Sequence, residues 1–482
     1  MNPPKIPVIL RSTIETKISI VGRIICGLVA ILLIHLILLV NTKFTLWPEM
    51  VVYPYLLNNG FLLYKDIINP YPPLFTSFLA IFARIFGYNP LPYQILTWSL
   101  ILAIDITIFF VAKKIFKDSN MSKVSTAFFV FFSIPFGVNG LWYDLVQTPL
   151  ILLSLLYIHR FLNKPNPRFA FYSFFFLTIA FFVKQQIVLL IVWFLAVLII
   201  KFGKKIIKFL KEIPYFIVPF LFLLIFLLVV FWQKQTAPDF VFWTLYFPFF
   251  QASKMPGYIL LPTMRQLVVV IALFALFIPA VRKKKLETLL FVSTAFVLIL
   301  LAYPRFDYFH LIPSLSVLSI VVAKNLKELY KSTFPVKTIF TFSLIILSAF
   351  SVRYLSNNWT KEVRFFEEDI FQAAHILKQE TRPLQPIYIQ NGPDQLLPLS
   401  QRLPPKPWAD EFPWYLEKSN LQEKIIQVME SDLPEFIVVK PYEMGDYFEI
   451  GSYRPAKIAD FLDQHYRNFL QISDTLWLKE KI

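Results

Sequence analysis

The stretch "NNGFLLYKDIINPYPPLF", residues 58–75, interrupts a chain that is otherwise strongly apolar. It carries Lys65 and Asp66 next to Pro70, Pro72 and Pro73, and a segment so charged and so broken by proline cannot cross a bilayer. The runs that flank its loop, 19–40 and 92–112, have the length and composition of spanning helices. The topology of everything downstream therefore depends on whether the next apolar piece, "PPLFTSFLAIFARIFG" (72–87), is counted as a crossing.

Charge parity decides this. Further runs of spanning length lie at 124–140, 142–161, 168–183, 185–202, 214–232, 265–281, 286–303, 308–324 and 338–356, about eleven helices in all. Alternate connections are basic: Lys5/Arg11/Lys17, Lys113 to Lys123, Arg160/Lys164/Arg168, Lys201 to Lys211, Arg282 to Lys285, and Lys324 to Lys337. The positive-inside rule makes these cytoplasmic, whereas a crossing at 72–87 would put the Lys113 to Lys123 loop and most later ones outside. Residues 72–87, started by Pro72-Pro73, thus read as an interfacial or re-entrant helix. Residues 47–60 read similarly, so the first external loop, 41–91, is expected to be structured. The N-terminus is then cytoplasmic, the first run is a retained helix, and an odd helix count delivers residues 357–482 outside.

Composition agrees with this reading. Of 482 residues, 57% are hydrophobic and 16% charged, more apolar surface than soluble packing hides, and a multi-pass protein of a cell (plasma or inner) membrane follows. The net charge of +16 belongs to the membrane part: residues 1–356 hold about 33 Lys and Arg against 11 Asp and Glu, and the tail about 14 against 20. The tail has no basic arm with interleaved aromatics, which argues against nucleic acid. The lone Cys26 lies in the first apolar run and excludes an internal disulfide or a thiolate metal site. Glycine, at 11 residues, is scarce for helices that slide in a transporter. The tail reads as a small α/β domain, with short strands at "PIYIQN" and "PEFIVVK" and helices at "EKIIQVMES" and "PAKIADFLDQHYRNF". It contains no phosphate loop or catalytic triad pattern.

The acids of the first 356 residues sort by side. Glu15, Asp118, Glu212, Glu287 and Glu328 fall among cytoplasmic bases, and Asp105 reads as an interhelical hydrogen-bonding partner. Glu49, Asp66, Asp144, Asp239 and Asp307 fall at the outer surface with Lys184, Arg305 and His310, which suggests a polar cavity there.

These residues resemble the GT-C membrane glycosyltransferases, among them the protein O-mannosyltransferases and the lipid A aminoarabinose transferases. The resemblance rests on "WPE" (47–49), "NNGFLLYKDI" (58–67), "PYPPLFTSFLAIFARIFG" (70–87), "FVKQQ" (182–186) and "YPRFDYFHLIPSL" (303–315). It implies a polyprenyl-phosphate-linked sugar donor lying in the bilayer, a protein, lipid or glycan acceptor, and inversion by direct displacement. It assigns a catalytic carboxylate to Glu49 or Asp66, an accessory acid to Asp144, and donor-phosphate binding to Lys184, Arg305 and His310. Tyr64, Lys65, Gln185 and Asp307 become substrate-positioning residues. This chain has Pro48-Glu49 where the relatives usually have Asp-Glu, so the choice of base between Glu49 and Asp66 stays open. No cofactor is required, no spacing calls for a metal, and a role for a divalent cation stays open. A transporter or lipid flippase, and a non-catalytic envelope-assembly subunit, are the alternatives.

Overall fold

The computed structural model describes residues 8–203, 213–255, 257–281, 286–417, 420–445 and 451–482. The basic clusters at 204–211 and 282–285, part of the parity argument, lie outside the described residues. The chain runs α1 (Val8–Val40), β1 (Phe44–Leu46), α2 (Glu49–Asn58), α3 (Pro73–Phe86), α4 (Pro90–Phe116), α5 (Ser119–Ser133), β2 (Gly140–Leu141), α6 (Tyr143–Asn163), α7 (Pro167–Val183), α8 (Val188–Phe202), α9 (Ile213–Gln233) and α10 (Ala237–Val241). It continues through α11 (Met264–Ala275), α12 (Ile278–Val281), α13 (Leu286–Ile299), α14 (Ile312–Leu329) and α15 (Phe334–Asn358). Among the described residues, 5 helices are long and apolar enough to cross a membrane, at 90–116, 143–163, 185–202, 308–329 and 334–358, with shorter apolar helices between them. The protein is a multi-pass membrane protein.

Helix α3 has the two faces expected of an interfacial element. Pro73 starts it and Gly87, at φ 81°, stops it. Phe75, Leu79 and Ala83 are buried, while Phe78, Ile81, Ile85 and Phe86 are exposed along the other side. Two helices are shorter than their apolar runs predict: α11 ends at Ala275 and not near 281, and α5 ends at Ser133 and not near 140. Pro135 and Gly137, the latter at φ 72°, turn the chain there.

The turned chain then makes β2, the edge of a small sheet of order β2-β1-β3, where β3 is Val363–Arg364. All pairings are parallel, with Leu46 opposite Leu141 and Thr45 opposite both Gly140 and Arg364. Gly140 is needed for close approach, since a Cβ there would lie 3.3 Å from the Cβ and the carbonyl oxygen of Thr45. The Asn139 amide donates to the Leu39 and Thr42 carbonyls at 2.9 Å, closing the end of α1 beside this sheet.

The tail contains α16 (Glu368–Glu380), β4 (Ile387–Gln390), α17 (Leu396–Ser400), α18 (Pro413–Leu416), α19 (Leu421–Ser431), β5 (Phe436–Val439), α20 (Ala456–His465), β6 (Tyr466–Gln471) and β7 (Trp477–Lys481). Its sheet has the order β4-β5-β7-β6, with β4 and β5 parallel and the rest antiparallel. The two strands read from sequence are β4 and β5. The helix predicted over 455–469 stops at His465, because Tyr466–Gln471 instead pair with 477–481, a partner that local periodicity does not reveal. The tail packs into one hydrophobic cluster with the first loop: Leu46, Met50, Tyr53 and Tyr64 share it with Trp408, Tyr415, Ile437 and Leu478.

Candidate active site

Sheet register places the two first candidate acids. In the parallel pair, Leu46 and Leu141 lie side by side, and both strands lead at once into helices. Trp47 and Trp142 come next, their ring centroids 5.5 Å apart. Glu49 and Asp144 then fall in the first turns of α2 and α6, where the helix dipole favours a carboxylate.

Both serve one cavity of about 560 Å³. Glu49, Tyr53, Tyr71, Trp142, Lys184, Gln185, Arg305, Asp307 and His310 line it, together with Phe412, Trp414 and Tyr415 from the tail. Asp144 does not reach the lining but holds two residues that do. Its Oδ2 lies 2.8 Å from Lys184 Nζ and 2.9 Å from His310 Nδ1, and those two nitrogens are 3.2 Å apart. Lys184 and Asp144 are almost wholly buried, at 3% and 1% side-chain exposure. Lys184 occupies an extended residue between α7 and the start of the next helix, with φ −153° and ψ 118°. The Gln147 amide bridges that break, donating to the Ala180 and Lys184 carbonyls at 2.8 Å. One carboxylate faces an ammonium and an imidazole, so protonation of His310 makes this cluster net cationic.

Arg305 donates to the Tyr258 carbonyl at 3.2 Å and lies 5.0 Å from the centre of the Trp414 ring. The Gln185 amide is a structural tie, donating to the Pro70 and Thr244 carbonyls at 2.8 and 3.0 Å. Asp307 is exposed at the mouth.

Glu49 has an oxygen shielded from solvent that meets no hydrogen-bond donor. Burial, helped by the charge of Asp410, pushes its carboxyl up to about 8. Asp410 accepts a hydrogen bond of 2.8 Å from the Tyr53 hydroxyl, yet burial raises it to about 7. Neighbouring buried carboxyls of this kind titrate as a unit.

The Tyr64-Lys65-Asp66 element is not brought to the cavity lining. Asp66 accepts from the Leu62 amide at 2.9 Å and lies 3.5 Å from Lys406 Nζ, while its carbonyl accepts from Trp408 N. Tyr64, at φ 74°, is buried against Phe231 and Phe240 and donates to the Tyr71 carbonyl. Lys65 points to solvent. The element is a turn that clasps the tail, and of the two acids Glu49 is the one that lines the cavity. Asp105 pairs with His35 of α1 at 2.7 Å, both fully buried.

Sequence reasoning missed Asp410, Tyr53 and Trp414. One signal points to Asp410 and Trp414: "WADEFPWY" at 408–415, where adjacent acids sit inside an aromatic run. Among the described residues, no three His, Cys, Asp or Glu side chains are grouped to hold a metal ion.

A family profile described as dolichyl-phosphate-mannose-protein mannosyltransferase matches residues 70–232. No curated protein sequence matches the chain. ArnT from Cupriavidus metallidurans in the apo state superposes with a TM-score of 0.61 at 10% identity, over 96% of this chain and 98% of that one. The same protein bound to undecaprenyl phosphate gives 0.57 at 10% identity and the same coverage. The Archaeoglobus fulgidus oligosaccharyltransferase gives 0.52 at 10% identity, over 94% of this chain and 72% of that one. The fold is that of the GT-C membrane glycosyltransferases, as the motifs around the first loop implied.

Proposed function

We propose that this protein is a membrane glycosyltransferase that moves a sugar from a polyprenyl-phosphate carrier to an acceptor at the extracytoplasmic face. The observation that carries the reading is one cavity lined by an ionisable carboxyl, Glu49, and by the basic residues Lys184, Arg305 and His310. Undecaprenyl phosphate in one of the similar ArnT structures supports a lipid-phosphate donor. The match to a mannosyltransferase family supports sugar transfer. The alternation of basic loops supports a cytoplasmic N-terminus and an extracytoplasmic tail.

The chemistry follows from the lining. The isoprenoid chain lies along the apolar wall that includes Val188, Leu189, Phe247 and Leu300. Its phosphate meets the donors Lys184, Arg305 and His310, where charge-assisted hydrogen bonds are strongest. Glu49 accepts the proton of the acceptor hydroxyl as that oxygen bonds to the anomeric carbon. The carbon–oxygen bond to phosphate breaks and its electron pair leaves with the lipid phosphate, where Lys184, Arg305 and His310 stabilise the gathering charge. Attack opposite the leaving group inverts the centre. Sugar type is left as hexosyl or pentosyl, and the acceptor as protein, lipid or glycan.

The test is transfer by purified protein in lipid bilayers, with radiolabelled polyprenyl-phosphate sugars and membrane acceptors. Glu49→Gln lowers the rate by about 10²- to 10⁴-fold, and Asp66→Asn leaves it nearly unchanged. Full activity in Glu49→Gln removes Glu49 as the base. Lipid translocation without transfer by the unaltered protein establishes the transporter reading instead.

A further inference from the structure

The first loop and the tail are laced together where the turn at Tyr64-Lys65-Asp66 meets residues 406–408. Trp408 N donates to the Asp66 carbonyl at 2.8 Å, and Ile68 N donates back to the Trp408 carbonyl at 3.0 Å. Lys406 adds a contact of 3.5 Å to the Asp66 carboxylate and sits 4.3 Å from the centre of the Phe61 ring. The Trp408 ring meets Tyr53 edge-on at 5.6 Å. Two residues beyond this clasp, Asp410 is 6% exposed and takes the Tyr53 hydroxyl at 2.8 Å. Tyr53 lies one turn along α2 from Glu49, on the same face. The chain then lines the cavity with Phe412, Trp414 and Tyr415.

We propose that residues 406–415 of the tail are a working part of the reaction cavity, and that Asp410 is a positioning carboxylate that acts through Glu49. The inference rests on the transferase reading with Glu49 as its base. The buried carboxyl of Asp410 and the half-buried one of Glu49 resist holding two negative charges side by side, so ionised Asp410 makes Glu49 a stronger proton acceptor. The raised positions of both groups agree with this. The other groups within electrostatic range of Glu49 are Tyr53 on its own helix, Tyr71 in the first loop, Tyr143 on α6, Tyr415 on α18, and Asp394 after β4. The phenols stay neutral through the working pH range, and Asp394 is itself pushed towards its neutral form by burial and by the neighbouring acids.

The experiment is the pH–rate profile of transfer by the full-length protein in lipid, for the unaltered chain, Glu49→Gln, Asp410→Asn, Asp410→Glu and Tyr53→Phe. Asp410→Asn keeps an acceptor for Tyr53 but removes the charge. It shifts the acidic limb of the profile about one pH unit towards acid and lowers the plateau rate, and Asp410→Glu returns the limb towards its original place. Tyr53→Phe shifts the limb in the same direction, because Asp410 without its donor keeps its proton and leaves Glu49 as the ionised member. This variant also carries the test if Asp410→Asn does not fold. An unmoved limb with a uniform loss of rate, while Glu49→Gln is inactive, overturns the role of Asp410 and leaves the base in place. Activity in Glu49→Gln overturns both.

Discussion

Removing the charge of Asp144 tests the Asp144–Lys184–His310 cluster most directly. Its Oδ2 serves Lys184 at 2.8 Å and His310 at 2.9 Å, so Asp144→Asn leaves a buried ammonium without its counter-charge. Breaking a buried pair from one side costs about 3–5 kcal/mol, a large part of the roughly 5–15 kcal/mol that holds a folded protein together. Lys184→Met is milder, at about 1–3 kcal/mol, because His310 still reaches the carboxylate. The double variant Asp144→Asn/Lys184→Met removes both charges and falls short of the sum of the single losses by about 2 kcal/mol. Thermal unfolding of all four proteins in one detergent measures this cycle, and transfer assays on the folded material separate stability from function. If Lys184 holds the donor phosphate, the double variant folds yet transfers about 10- to 150-fold more slowly, the equivalent of one charge-assisted hydrogen bond of about 1.5–3 kcal/mol. Additivity within about 0.5 kcal/mol refutes the coupling, and full activity in the folded double variant refutes the phosphate role.

Gly140→Val places a branched side chain against Thr45, where even a Cβ would lie at 3.3 Å. It is expected to destabilise the protein by about 1–3 kcal/mol and to reduce transfer, read by thermal midpoint and by assay. Stability also depends on pH with a defined sign. Glu49 and Glu411, from 4.5 to about 8 and about 7, and Asp410, from 3.8 to about 7, bind protons more tightly folded than unfolded. Their contribution is therefore fully present below about pH 4 and is lost as pH rises towards 8. The thermal midpoint falls across that window, and Asp410→Asn flattens the fall; an unchanged slope in that variant contradicts the assignment.

The membrane part was legible because its signals are local. Runs of apolar residues mark helices, so the positions of α4, α6, α8 and α14 and the two-faced character of α3 could be read directly. Pro135 and Gly137 are turn residues, but an apolar run of spanning length surrounds them and masks the turn. The cavity lining was half legible. Lys184, Arg305, His310 and Glu49, which share it, stood out because ionisable residues are conspicuous in an apolar sequence. Asp410 was not, because in a tail rich in acids one more carboxylate carries no contrast, and only the packing of 408 against Tyr53 shows where it goes. Asp66 is the converse case. It is conspicuous by composition, yet it is not among the cavity-lining residues, and the backbone around it pairs with Trp408.

The three strands of the small parallel sheet come from residues 44–46, 140–141 and 363–364, so its last edge is supplied only after the final long helix has been made. In chain order, residues 44–46 and 140–141 come early, the edge at 363–364 comes when about three quarters of the chain already exist, and the aromatic lining from 412 to 415 comes later still. A nascent chain that has not yet reached residue 415 thus lacks part of the cavity lining, however many of its long helices have been made.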